Sequence, residues 1–247
     1  MYKVTNAVCL LVVCAAWAPA VRAQQADQVP QGLSGSASLG LSLTQGNTDT
    51  FTLNVTDDSI YDPKTKNVVR WNALYLRGKQ NGVLSVNRVA GSIRDQYTVS
   101  KRFFMFAQFD ALHDTFKGVD YLYAPTGGVG YKAIDTPRTT FEFDAGVGAV
   151  LEKDTGFDPK GSGAGTLGQK VVYKLSDTTT LKESWNSIFK ENDLADWLYA
   201  FDVGATVKIN SRFSLSLDVL DTFKNRPVEG LTHKHDLAVV TSIVAKY

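Results

Sequence analysis

The residues best able to carry chemistry in this chain are its three histidines and the acidic side chains near them. His113 precedes Asp114 and follows Asp110, a set that could be fitted to a protease with an Asp pair and an Asp-His pair at a barrel rim. His233 and His235 share one face of a strand, a spacing that can bind a metal. No other histidine or cysteine cluster completes a ligand set, and no motif fixes a serine nucleophile. The sequence therefore predicts no catalytic residue, no metal site and no cofactor.

The strand that must carry His235 is also the most regular element of the chain. Residues 236–247 alternate strictly between two faces, which predicts a β-strand. A strand that ends on an aromatic residue is typical of bacterial outer-membrane barrels, whose last strand closes the sheet. We therefore expect Leu237, Val239, Ile243 and Tyr247 to face lipid and to form the assembly signal. The expected partners are outer-membrane lipid and, during biogenesis, periplasmic chaperones and the barrel-assembly machinery.

The opposite end of the chain predicts export. A positive residue, an uncharged apolar stretch over 7–17 and small-x-small sites up to Ala23 are typical of a signal peptide. The apolar stretch is too short to cross a membrane as a mature helix. We expect residues 1–23 to be a cleaved signal peptide, 24–32 a short periplasmic leader and 33–247 an outer-membrane β-barrel.

Composition narrows the function classes. Both cysteines, Cys9 and Cys14, lie in the predicted signal peptide, so no disulfide framework is expected. Removing Lys3 and Arg22 from the 26 basic residues leaves 24 against 25 acidic ones, a balance that gives no reason to expect nucleic acid binding. The mature region has no apolar run near the ~18 residues of a transmembrane helix. A membrane protein with this pattern is expected to be a closed barrel, because lipid cannot satisfy open backbone groups.

The period-two pattern recurs in nearly every segment from residue 33 onward, at about twelve predicted strands. In a soluble sandwich, the charged face would simply be solvated and the apolar face would be a core. The barrel is favoured because the apolar face carries aromatic residues near predicted strand ends, as an interfacial girdle would. We predict one all-β domain, a transmembrane antiparallel β-barrel of about 12 strands with both termini periplasmic, in the outer membrane of a Gram-negative bacterium. The aromatic residues are Trp71, Tyr75, Trp185, Trp197, Tyr199 and Phe213.

Charged residues within the strands fall mostly on the face opposite the aromatic ones. In a barrel this face lines the lumen, where charges either pair across a narrow interior or tune the selectivity of a pore. The candidate lumen-lining residues are Arg70, Arg88, Arg94, Asp110, Glu142, Asp144, Lys170, Lys182, Asp202, Lys208, Asp218 and Asp236.

The stretch Ser34–Val55 combines a Ser/Gly-alternating strand, a Gly46-Asn47-Thr48 turn and a second alternating strand. This stretch resembles the salt-induced outer membrane proteins, YdiY-like, a family classed as domain of unknown function 481. The resemblance implies a single outer-membrane barrel and a link to osmotic or salt stress. It implies no substrate, no catalytic residue and no cofactor. The Gly-Asn pair also has a structural explanation, since both residues tolerate the positive φ of a tight hairpin.

Two function classes stay open from the sequence. The first is a narrow channel or small-solute pore with a charged lumen. The second is a non-conducting structural or stress-adaptation barrel in which the lumen charges pair with one another. An outer-membrane enzyme is a distant third and would need His113 or His233 close to a Ser or Asp at the rim.

Overall fold

The computed structural model describes residues 31–44, 50–115, 117–226 and 234–247. These residues form an all-β structure of twelve strands, as the alternation predicted. The predicted signal peptide, the Gly46-Asn47-Thr48 turn and His233 lie outside the described residues. The strands are β1 (Gly32–Thr44), β2 (Thr50–Asp62), β3 (Asn67–Gln80), β4 (Val83–Thr98), β5 (Phe103–Asp114), β6 (Val119–Asp135), β7 (Thr139–Asp154), β8 (Lys160–Lys174), β9 (Thr179–Lys190), β10 (Asp193–Lys208), β11 (Phe213–Lys224) and β12 (His235–Lys246).

The twelve strands form one closed antiparallel barrel in which each strand pairs with its sequence neighbours. β12 pairs with β1 over four residue pairs, which confirms the predicted closure of the barrel. β1 begins and β12 ends at the same end of the barrel, here called the proximal rim; the opposite end is the distal rim. Within the described ranges, no helix is long and apolar enough to cross a membrane.

The two faces of the wall differ in chemistry. Contacts between strands that are not neighbours, such as Arg94 with Asp144 and Lys224 with Glu152, can only pass through the interior and so identify the inner face. The opposite face carries large exposed apolar side chains along the strands. This outward apolar band is what a lipid-facing barrel requires. Examples are Leu39, Val89, Met105, Val147, Val203, Leu217 and Val239.

Aromatic rings fill part of the interior where glycines make room. The rings of Phe104 and Phe106 point inward from β5 and are buried. A Cβ on Gly130 of β6 would lie 2.1 Å from the Phe104 ring, so only glycine allows this close approach. Gly130 of β6 therefore serves packing.

Three details differ from the sequence pattern. The glycine-rich composition of segment 153–165 predicts a loop, but β7 continues to Asp154 and β8 begins at Lys160, so Gly161, Gly163 and Gly165 lie in a strand and Gly156 lies in the short connection. Outer-membrane barrels typically have short turns at one rim and longer loops at the other, but two distal connections of this barrel are only two residues long. Tyr75 and Trp185 face outward but lie well inside their strands, away from the ends where a girdle would sit.

Candidate functional site: the barrel lumen

A buried network of ion pairs crosses the lumen near the distal rim. Glu152 of β7 accepts a hydrogen bond from Lys190 of β9 and another, at 2.9 Å, from Lys224 of β11. Lys224 also donates to Asp154 at 2.7 Å, and Lys190 donates to Asp196 at 2.6 Å. Both lysines and Glu152 are buried. One carboxylate therefore joins two lysines, and the network ties four strands, β7, β9, β10 and β11, together across the interior.

At the same height in the barrel, a second set of contacts extends into the lumen from the connection between β5 and β6. The ammonium of Lys117 lies 3.1 Å from the carboxylate of Asp236 on β12 and donates to the Lys234 carbonyl at 2.6 Å. Arg88 of β4 faces the same region and interacts electrostatically with Asp114 and Asp236. We call the paired residues Lys117, Glu152, Asp154, Lys190, Asp196, Lys224 and Asp236 the ionic cap.

An apolar cluster lies in the same distal half of the interior. Its buried members are Val119, Leu122, Ala124, Val150 and Ala164, and Leu112, Ile188 and Leu198 pack against them. Such side chains leave little space for water, so the desolvated surroundings strengthen the ion pairs of the cap and make an unpaired charge there costly. In this conformation, the distal half of the lumen is occluded.

The proximal half of the lumen is charged but less completely paired. Arg94 of β4 contacts Asp144 of β7 at 2.9 Å, and its guanidinium lies 3.8 Å from the centre of the Phe106 ring. Lys182 lies 3.7 Å from Asp218. Lys170 faces the same space, is exposed there and makes no ion pair or hydrogen bond with any residue the structure describes. Asp202 faces the lumen nearer mid-height, and its buried Oδ1 atom has no hydrogen-bond partner among the described residues.

The strand register places all twelve candidate lumen residues on the inner face, at different depths. Arg88 and Asp236 lie in the distal half, and Asp236 belongs to the cap. Asp110, Asp202 and Asp218 lie near mid-height, where Asp110 accepts hydrogen bonds from Gln108. Nearer the proximal rim lie Arg70, Arg94, Glu142, Asp144, Lys170, Lys182 and Lys208. The structure thus brings Arg94 to Asp144 and Lys182 to Asp218, and leaves Lys208 exposed at the rim.

Most of the ionic cap is missing from the candidate set. Three of the missing residues, Glu152, Lys190 and Lys224, lie on strand faces that already carried candidate residues, but closer to the ends of the strands. Extending the alternating pattern to the strand ends could have identified them. Lys117 lies in a connection, where no periodicity applies.

The histidines do not assemble a catalytic or metal site in the described residues. The Nδ1 atom of His113 lies 2.8 Å from the Asp120 carbonyl, while Asp114 is buried on the opposite face of β5. The Nδ1 atom of His235 lies 3.2 Å from Asp221 on the outer face. No group of three or more potential metal ligands occurs among the residues described.

The predicted assembly residues lie on the outer face of β12. Leu237, Val239 and Ile243 are exposed. Tyr247 exchanges backbone hydrogen bonds with Gly35 at 3.0 and 3.1 Å, and its ring covers that glycine, since a Cβ there would lie 2.8 Å from the ring. Its hydroxyl donates to Asp57 of β2 at 2.8 Å. The ladder between β1 and β12 covers only four residue pairs, so this contact extends a short seam.

The comparison with known families agrees with this architecture. Residues 37–247 match the family described as "Protein of unknown function, DUF481". The chain belongs to this family. The predicted DUF481 resemblance is therefore confirmed, while the YdiY-like label stays a prediction. No curated protein sequence matches the chain.

Solved structures show the fold of this DUF481 barrel. It is similar to the COG4313 outer membrane channel from Pseudomonas putida F1, with a TM-score of 0.51, 11% identity and coverage of 92% of this chain and 100% of that chain. It is also similar to the NanC porin, with a TM-score of 0.49, 11% identity and coverage of 87% and 98%. At 11% identity, the likeness to the COG4313 channel shows the barrel fold alone.

Proposed function

We propose that the protein is an outer-membrane barrel that forms a narrow channel for small ions or solutes, with periplasmic termini and the ionic cap as its constriction. The observation that carries this proposal is the contrast along the lumen. Charges are paired and buried in the cap, whereas Lys170 is exposed in the proximal interior and makes no ion pair or hydrogen bond with any described residue. An ionised side chain without a protein partner is stable only where water reaches it. This supports a hydrated proximal lumen below a closed cap.

The strand number is compatible with a narrow passage. Side chains fill an eight-stranded barrel, whereas barrels of ~16 strands hold an open aqueous channel. A twelve-stranded barrel lies between these cases, so a small group of side chains can decide whether it conducts. Opening would require the cap to separate, because Glu152 and its two lysines bridge the interior.

Conductance in planar bilayers tests the proposal, with Glu152→Gln as the main variant. Neutralising Glu152 removes the negative charge that Lys190 and Lys224 share and replaces one of its two accepting oxygens by an NH2 donor, so the two neighbouring cations repel each other. We expect rare, brief steps from the wild type and open times or opening frequencies at least about tenfold higher from the variant, since buried charge pairs contribute well over 1.4 kcal/mol when broken. Glu183→Gln is the matched control, because Glu183 lies on the outer face beside Gln169.

The second candidate function is a non-conducting structural barrel. The same cross-barrel ion pairs and the apolar cluster favour it, because they occlude the distal half. Silence of both the wild type and Glu152→Gln over a wide range of voltage and salt would reject the channel and favour this alternative.

The remaining parts of the proposal concern the non-enzymatic role, the link to salt stress and the location in the cell. We infer a non-enzymatic role, since His113 and Asp114 point to opposite faces of β5. The link to salt or osmotic stress rests on the family resemblance and is tested by the growth of a deletion strain at raised osmolarity. Export and outer-membrane placement are tested by cell fractionation and heat-modifiable gel migration. A soluble periplasmic species would reject them.

A further inference from the structure

The outer face of β6, β7 and β8 contains an apolar groove of about 470 Å³ in the distal half of the barrel. The stacked rings of Phe109 and Tyr123, with centroids 6.0 Å apart, form part of its lining. Small residues make it concave, because Gly161 presents no side chain and nothing lies within 4 Å of the position its Cβ would take. The lining residues are Phe109, Tyr123, Pro125, Ala149, Leu151 and Gly161, together with Val150 and Ser162.

The groove coincides with a break in the strand ladder. β6 and β7 pair at Tyr123 with Leu151 and again at Thr126 with Gly148, but not at the two positions between. Pro125 occupies one of these positions and has no backbone N–H to donate, which is why proline is rare inside sheets. Val150 belongs to the inner face and yet contributes to the groove, so the groove reaches deep into the wall here.

We propose that this groove binds one acyl chain of lipid A, with a lipid phosphate held at Lys153. The groove is continuous with the lipid-facing surface, where Val147 and Leu151 are exposed, so a lipid chain is the molecule that meets it in a membrane. Lys153 is the next outward residue of β7 toward the distal rim. Its ammonium is partly exposed and forms an ion pair with Asp120 at 3.5 Å, for which a lipid phosphate would compete. It supplies the positive charge that a phosphate requires.

The choice of lipid A rests on the proposed orientation, in which the distal half of the barrel lies in the outer leaflet. The inference does not depend on conduction, so a silent channel leaves it intact. The chain offers a matched pair of variants, because Gly161 and Gly165 both face outward on β8, and each has open space around its Cβ position. Only Gly161 lines the groove.

Native mass spectrometry of the detergent-purified protein, titrated with lipid A, tests the proposal. We expect one lipid A adduct for the wild type and for Gly165→Phe, and an affinity at least about tenfold lower for Gly161→Phe, whose ring fills the groove. Lys153→Met should weaken lipid A binding by a similar factor. Heat-modifiable gel migration confirms that each variant is folded.

Four outcomes would overturn the proposal. Equal binding by Gly161→Phe and Gly165→Phe would show that the lipid lies elsewhere. Tighter binding of phosphatidylglycerol than of lipid A would reject the choice of lipid, and an unchanged Lys153→Met would reject the phosphate contact. Loss of a protein dimer, rather than of a lipid adduct, in Gly161→Phe would identify a second copy of the chain as the occupant.

Discussion

Replacing Lys224 by methionine removes one cation from the ionic cap while keeping the length of the side chain. Lys224 is 2% exposed and donates to Glu152 at 2.9 Å and to Asp154 at 2.7 Å. After the substitution, Glu152 keeps Lys190, but the side chain of Asp154 loses its ion-pair partner. Breaking a buried pair by removing one partner costs about 3–5 kcal/mol, because an uncompensated charge stays behind. We expect Lys224→Met to lower the free energy of unfolding by that amount.

The matched control is a lysine on the same inner face that pairs in the open part of the lumen. Lys182 is 41% exposed and lies 3.7 Å from Asp218. Solvent screens such a pair, and exposed ion pairs contribute about 0–1 kcal/mol. Lys182→Met should therefore change the free energy of unfolding by less than about 1 kcal/mol. The two variants make the same chemical change and differ in the depth at which the charge is lost.

Reversible urea unfolding in lipid vesicles, followed by tryptophan emission, measures both free energies. A double-mutant cycle of Lys224→Met with Glu152→Gln should show coupling, because the two residues share one network. If Lys182→Met destabilises the barrel as much as Lys224→Met, or if Lys224→Met costs less than about 1 kcal/mol, the distinction between a dry cap and a wet proximal lumen is wrong.

Three further predictions concern the wall. In fractionation experiments, Val239→Arg should impair membrane insertion far more than Ala238→Arg. Val239 is 61% exposed on the outer face, where a charge at mid-membrane costs ~2–4 kcal/mol, whereas Ala238 faces the lumen. Tyr247→Phe should lower the temperature of heat-modifiable migration, since two hydroxyl contacts at the β1–β12 seam are lost, and deletion of Tyr247 should reduce outer-membrane yield without producing a soluble form. Gly130→Val should destabilise the barrel by about 1–3 kcal/mol in urea through overpacking against Phe104, and Gly130→Val combined with Phe104→Ala should recover part of that loss.

Sequence periodicity was sufficient to predict the fold, because every strand of a membrane barrel alternates between residues that face lipid and residues that face the lumen. Lipid on one side and the lumen on the other impose a period of two, so Leu237 and Val239 could be assigned to the outer face of β12 from alternation alone. Closure followed from the same physics, since an open edge in lipid leaves backbone groups unpaired. Segment 153–165 misled because its glycines suggest a loop, although in β8 they shape the outer surface.

The ionic cap could not be predicted in the same way. Lys224 and Glu152 come from β11 and β7, and their meeting depends on the diameter of the barrel and on the stagger between strands. Neither quantity can be obtained from alternation within one strand. The contact of Lys117 is even harder to predict, because this residue reaches Asp236 from a connection between strands.

Two lysines of the inner face show why depth decides function in this barrel. Lys190 and Lys170 both face the lumen, from adjacent strands, and alternation treats them alike. Lys190 is buried between Glu152 and Asp196 in the distal half, where it holds strands together. Lys170 has no ion-pair partner among the described residues and is exposed in the lumen, where water can solvate it. The same residue type on the same face therefore closes the lumen at one level and lines it at another. Whether the closed level can open is what the conductance of Glu152→Gln measures, and that measurement separates a closed channel from a barrel that never conducts.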